Sequence, residues 1–262
     1  MKKQILILAA FAIAVLQFWG CSNDGGIFGS IKGSGNIVDV GYDYDNFESV
    51  DVSHAFALTV IESDTFYVNV LIDDNLVKYL RVSSSGAWLN IGMEDGHSYN
   101  NAHFEVEVHM PKIFELHGSG ASAISLQSFS DTTDFKLDLS GASVFNGLIV
   151  ADNCEILLSG ASVVDVNGIC TDFYLDASGA SVIKFAGSCA DAYLHGSGAS
   201  YLDMGSFVAN KVSADFSGAT DGTIHALEHL DAKLSGASVL KYYGDPVLGN
   251  IDISGASVLT KL

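Results

Sequence analysis

From Ile156 to Ile183 the chain reads ILLSGASVVDVNGICTDFYLDASGASVI, with the tetrapeptide Ser-Gly-Ala-Ser at positions 159–162 and again at 178–181. Its glycines recur as Gly120, Gly141, Gly160, Gly179, Gly198, Gly218 (followed by Ala219-Thr220), Gly236 and Gly255, at intervals of 21, 19, 19, 19, 20, 18 and 19 residues. A period near 19 residues is too short for a helical repeat and suits one coil of a β-solenoid. The expected fold class is therefore all-β: a right-handed parallel β-helix or β-solenoid with coils of about 19 residues, the hand following from the twist that governs parallel crossovers.

Alignment on the first serine of each copy shows how a coil buries its core. Three positions earlier stand Leu116, Leu137, Ile156, Leu175, Leu194, Ala214, Ala232 and Ile251, and five earlier stand Phe114, Phe135, Cys154, Phe173, Ala192, Val212, Leu230 and Gly249. Between them, two before the serine, come His117, Asp138, Leu157, Asp176, His195, Asp215, Lys233 and Asp252. Such alternation marks strands with one buried and one wet face. Stacked coils place equivalent residues ~4.8 Å apart, so each apolar column becomes a continuous ladder. A second apolar stretch follows each tetrapeptide, as in Val163-Val164 and Val182-Ile183, so each coil has at least two strands. The glycine permits a tight corner and the alanine keeps it narrow, while the first-serine column is expected to form a hydroxyl ladder. No copy has the Gly-Lys-Ser/Thr ending of a phosphate loop.

Residues 1–21 read as a signal segment. Lys2 and Lys3 precede an apolar core from Ile5 to Phe18, and Gly20-Cys21 closes it. A cysteine after a small residue there resembles a bacterial lipoprotein signal, with Cys21 as the lipidation point and a membrane reached through the N-terminal lipid. Residues 22–35 are expected to be a flexible tether, and 36–262 the solenoid, irregular over 36–112 and regular over 113–262. The whole chain carries 31 Asp+Glu against 12 Lys+Arg, a net charge of −19, with Arg81 its only arginine. That balance disfavours nucleic acid and polyanionic glycans as partners. Cys170 and Cys189 lie 19 residues apart at the same repeat position. They can be read as a disulfide between adjacent coils or as a buried column of free thiols. Cys154 falls in an inward column. No Cys/His spacing suggests a metal site, and no cofactor is implied.

In the first half, Val50-Asp51-Val52-Ser53-His54-Ala55 repeats the form of Leu137-Asp138-Leu139-Ser140-Gly141-Ala142 and predicts an early coil. Strands are expected over Phe66–Ile72, Leu89–Met93 and Phe104–Met110, and a helical turn over Asp73–Tyr79, with no linker between the halves. Several features coincide: the lipoprotein start, Phe47 to Ser53, Asp74-Asn75-Leu76, the Ser-Gly-Ala-Ser array, and Tyr243-Gly244-Asp245-Pro246 before Ile253-Ser254-Gly255. Together they resemble the putative auto-transporter adhesin family with a head GIN domain over roughly residues 37–262. The resemblance implies a β-helix-like fold, a lipoprotein of the Gram-negative outer membrane on its surface or periplasmic side, and no catalytic residues. Ser53-His54-Ala55 departs from the family's Ser-Gly-Gly/Ala at that point.

Two functions fit. The first is a non-catalytic envelope protein whose β-face binds a neutral glycan or an envelope protein. The alternative is a polysaccharide-active enzyme, a glycosidase or lyase, because the outward column Asp176-His195-Asp215 places two carboxylates two coils apart, ~9.6 Å from the sheet spacing, with a histidine between them. Tyr174 and Tyr193 share a neighbouring outward column and offer a stacking platform for a sugar ring. The last coil, ending at Leu262 with Val258 and Leu259 near the edge, is a candidate surface for a homodimer.

Overall fold

The computed structural model describes residues 30–127, 129 and 132–262; Cys21 and the signal segment lie outside them. The chain forms a parallel β-solenoid of about seven turns. Five coils are single bent strands of 14–16 residues: Val144–Leu158, Val163–Ala177, Val182–Gly196, Tyr201–Phe216 and Asp221–Leu234. Each bends round the core and is interrupted only at the Ser-Gly-Ala-Ser corner. Val144–Leu158 and Val163–Ala177 pair in unbroken register, Cys154 opposite Phe173 and Leu157 opposite Asp176.

The core follows from the alternation. Leu137, Ile156, Leu175 and Leu194 are buried, as are the residues after the corner, Phe145, Val164, Ile183 and Leu202. Rings from different faces meet inside: Phe185 and Phe207 stack at 4.3 Å between centroids, and Phe173 meets them edge-on at 4.9 and 5.1 Å. Such aromatic pairs contribute about 0.5–1.5 kcal/mol each beyond their burial. Phe114 departs from its expected inward column. It is 47% exposed, and Ile113 fills the core instead, because the chain enters this coil through an irregular stretch after Met110.

The corner glycines all have positive φ, 69–76° from Gly120 to Gly255. A side chain on Gly160 would strike the carbonyl oxygen of Gly141, and the same holds along the stack. The expected ladder of first-serine hydroxyls does not form. Those of Ser159 and Ser178 donate to the carbonyls of Leu139 and Leu158, at 3.4 and 3.1 Å. The second serine closes the corner instead: buried Ser143, Ser162, Ser181 and Ser200 each donate to the carbonyl three residues earlier, at 2.7–2.9 Å. The carbonyls of Ser140, Ser159, Ser178 and Ser197, which the second serines reach, take no amide from the next coil, so the hydroxyl supplies their partner.

The first half contributes one coil and a cap. Ser49–Val52 and Ala57–Glu62 pair in parallel with Glu115–Gly118 and Ala123–Gln127 on one side, and with Trp88–Met93 and Phe104–Met110 on the other. Outside these, Leu80–Ser85, Tyr67–Asp73 and Ile37–Tyr42 add in antiparallel fashion, with a 3-10 turn at Asp74–Tyr79. The parallel stack therefore runs on into the first half out of sequence order, where Trp88–Met93 and Phe104–Met110, with the antiparallel strands beside them, form a cap on the Val50–Ala55 coil. The end of the expected tether is also held: Ile31–Lys32 pairs with Tyr99–Asn100, and the Gly35 amide donates to buried Asp73 at 2.6 Å.

Candidate functional site

The outward residues two before each corner form one column running the length of the molecule: Asn90, Asp51, His117, Asp138, Leu157, Asp176, His195, Asp215, Lys233 and Asp252, each opposite the next. The expected Asp176-His195-Asp215 run is therefore brought together as neighbours. His195 Nδ1 lies 3.0 Å from Asp176 Oδ1, and Lys233 donates to Asp215 at 3.0 Å. All three are half-exposed on an open strand face. Beside them Tyr174 and Tyr193 face each other across adjacent coils, 42% and 48% exposed. Nearer the cap, Glu115 accepts from His117 at 2.8 Å and pairs with Lys136 at 3.1 Å. Burial opposes its ionisation, but these two partners outweigh it and hold the carboxyl below its ordinary value.

At the N-terminal end of this column the open face gives way to a cavity of about 550 Å³ between cap and first coil, lined among others by Asp51, Ser53, His54, Arg81, Asn90 and Glu94. His54 occupies the corner position where later copies have glycine, and it keeps their backbone, with φ 69°. Its Nδ1 lies 2.9 Å from Ser53 Oγ and accepts the Met93 amide at 3.3 Å. Arg81 pairs with Glu94 and donates to the carbonyls of Lys78 and Leu80, both at 3.0 Å. Asp51 stands opposite His117, whose ring lies 4.5 Å from that of Trp88. Burial, with a smaller contribution from nearby Asp138, pushes the Asp51 carboxyl above its ordinary value against the pull of His117.

A family described as putative auto-transporter adhesin, head GIN domain, matches residues 46–246. The chain belongs to that family. Its fold matches solved structures. A putative adhesin from Parabacteroides merdae is 16% identical with a TM-score of 0.80, over 89% of this chain and 99% of the other. A putative lipid binding protein from Parabacteroides distasonis is 18% identical with a TM-score of 0.83, over 89% and 100%. A putative adhesin from Bacteroides fragilis is 18% identical with a TM-score of 0.67, again over 89% and 100%. No curated protein matches the chain.

In this family member Cys154, Cys170 and Cys189 are buried, free thiols. The neighbouring Cys170 sulfur, together with burial, pushes the Cys154 and Cys189 thiols above their ordinary value. Stacked equivalents such as Cys170 and Cys189 are related by translation, so their Cβ atoms are as far apart as their Cα atoms, ~4.8 Å. A disulfide needs about 3.5–4.5 Å, a requirement that Cα spacing alone does not reveal. Among the described residues no group of three or more His, Cys, Asp or Glu side chains is arranged to hold a metal ion, and no helix is long and apolar enough to cross a membrane.

Sequence reasoning missed Asn90, Trp88 and Arg81 as neighbours of Asp51, because they belong to the cap and carry no repeat. The available signal was His54, the residue that breaks the corner pattern.

Proposed function

We propose that the chain is a non-catalytic, lipid-anchored protein of the Gram-negative cell envelope that presents its solenoid face to a neutral glycan or an envelope protein. Membership of an adhesin-like family supports a cell-surface role. The observation that carries the reading is the long polar column, half-exposed and open where Asp176, His195 and Asp215 stand. Catalysis by two carboxylates requires a cleft that separates their ionisation, whereas a flat face suits repeated contacts along an extended ligand. Tyr174 and Tyr193 supply apolar rings within that polar surface.

Glycan-array binding by the purified protein, together with a polysaccharide-degradation screen, tests this. Binding weakened by Tyr174→Ala with Tyr193→Ala is the expected result. Cleavage abolished by Asp176→Asn or Asp215→Asn would replace the reading with the enzyme.

A further inference from the structure

The corner column ends at His54, and the ending is chemically unlike the rest. Each corner glycine lies against the corner of the preceding coil, so a side chain there has no room: a Cβ on Gly120 would sit 2.5 Å from the His54 carbonyl oxygen. His54 has no such corner before it, and its side chain lines the cavity instead. Glycine would suit the same backbone without strain, whereas a non-glycine residue at positive φ costs on the order of 1–3 kcal/mol. The imidazole is thus placed at a cost to stability.

We propose that this cavity binds a neutral sugar ring through Asp51, Asn90 and His54, with Trp88 just outside its lining, next to Asn90 along the same strand face. The proposal rests on the glycan-binding reading above and gives it a location distinct from the tyrosine pair. Because the Met93 amide donates to Nδ1, the neutral ring carries its proton on Nε2, a donor for a sugar oxygen. The Asp51 carboxylate accepts from hydroxyls, and the Asn90 amide does both. Trp88 is two residues before Asn90 on the same outward strand face. Its strand neighbour in the first coil is the small Ser49, and its ring reaches that of His117 one coil further on.

Charge selects the ligand class. The cavity's arginine is committed to Glu94 and two carbonyls, and Asp51, Glu94 and Asp95 all line the space. An anionic sugar meets repulsion there. A volume of about 550 Å³ lies in the ~300–1,000 Å³ range of small-molecule sites.

The chain has two tryptophans, Trp19 and Trp88, so Trp19→Phe in the full-length protein leaves Trp88 as the sole indole. Its emission is titrated with glucose, galactose, mannose, N-acetylglucosamine and their disaccharides, with glucuronate as the anionic arm and glucosamine as the amine arm. The expected result is a saturable change with at least one neutral sugar and none with glucuronate. Affinity should fall at least tenfold in His54→Gly, whose melting temperature is unchanged or higher, and in Asp51→Asn. Full affinity in both variants, a response to glucosamine or glucuronate alone, or no response to any neutral sugar overturns the site. A positive glycan array with silent Trp88 leaves glycan binding standing and removes only this location.

Discussion

Gly120 sits directly on His54: the Ala121 amide donates to the His54 carbonyl at 2.7 Å, as the Ala142 amide donates to that of Gly120 at 2.8 Å. The corner backbone thus continues unchanged through a residue of different chemistry. The stack demands room on one side only, towards the preceding coil, and His54 alone is free of that demand.

Gly160, in the middle of the stack, is not. Gly160→Val should destabilise the protein by ~1–3 kcal/mol or more, from strain at positive φ and collision with the Gly141 carbonyl. Thermal melting checks this, and an unchanged midpoint would refute the stacked corner.

Ser162 is buried and donates to the Ser159 carbonyl at 2.8 Å. Ser162→Ala should therefore cost ~1 kcal/mol or more, because the carbonyl loses its partner in a dry corner. Exposed Ser188 serves as the control, with Ser188→Ala within about 0.5 kcal/mol of the parent by denaturant unfolding.

Asp51 and Glu115 should give opposite pH dependences. The Asp51 carboxyl is raised, so the folded protein holds its proton more tightly than the unfolded chain does. Its ionised form is a cost present above the folded value and absent below the unfolded one. Asp51→Asn should melt higher than the parent near pH 7, with the difference vanishing as pH falls through the carboxyl range. The Glu115 carboxyl is lowered, so its stabilisation is present above the unfolded value and lost as pH falls through the folded one. Glu115→Gln should melt lower at pH 7 and converge with the parent in acid. Both groups are partly solvated, which limits each effect to about 1 kcal/mol or less. Melting curves from pH 3 to 7 give the signs.

Cys21→Ala should leave the protein either unprocessed or in the aqueous phase of a detergent partition, since the proposed acyl anchor depends on that one residue. Equal partitioning of variant and parent would remove the lipid anchor from the proposal.

Val247 is 69% exposed on the last rung, with Leu248, Ile253 and Val258 also exposed beside it. An unpaired strand edge with apolar side chains recruits another strand. Sedimentation should show concentration-dependent dimers that Val258→Asp disperses. A monomer throughout the micromolar range would exclude the homodimer.

The coils were legible because their repeat supplies both halves of a strand's description. Alternation says which face is buried, and the 19-residue interval names the partner, as with Tyr174 opposite Tyr193. In the cap only the first half is available. Tyr67–Asp73 and Phe104–Met110 alternate as cleanly as any coil, yet nothing in alternation distinguishes their antiparallel pairing from a parallel one. The Asp51 site depends on that pairing, since Asn90 and Trp88 arrive from a strand 39 residues along the chain. Phe114 was misplaced for a related reason: the irregular stretch before it shifts the phase, and composition carries no record of phase.

Residues 49–62 acquire neighbours on both sides only from chain that follows them, the cap strands first and the coil at 115–127 afterwards. The cap can therefore close before the repetitive region exists, and it presents one pairing edge to whatever emerges next. Later coils then add to that edge in chain order. Each newcomer finds a template already in register, so the near-identical corners, which could otherwise pair out of step, are never offered a choice of partner. Pulse-labelled hydrogen exchange should find the 49–62 and 88–110 amides protected ahead of those beyond residue 200.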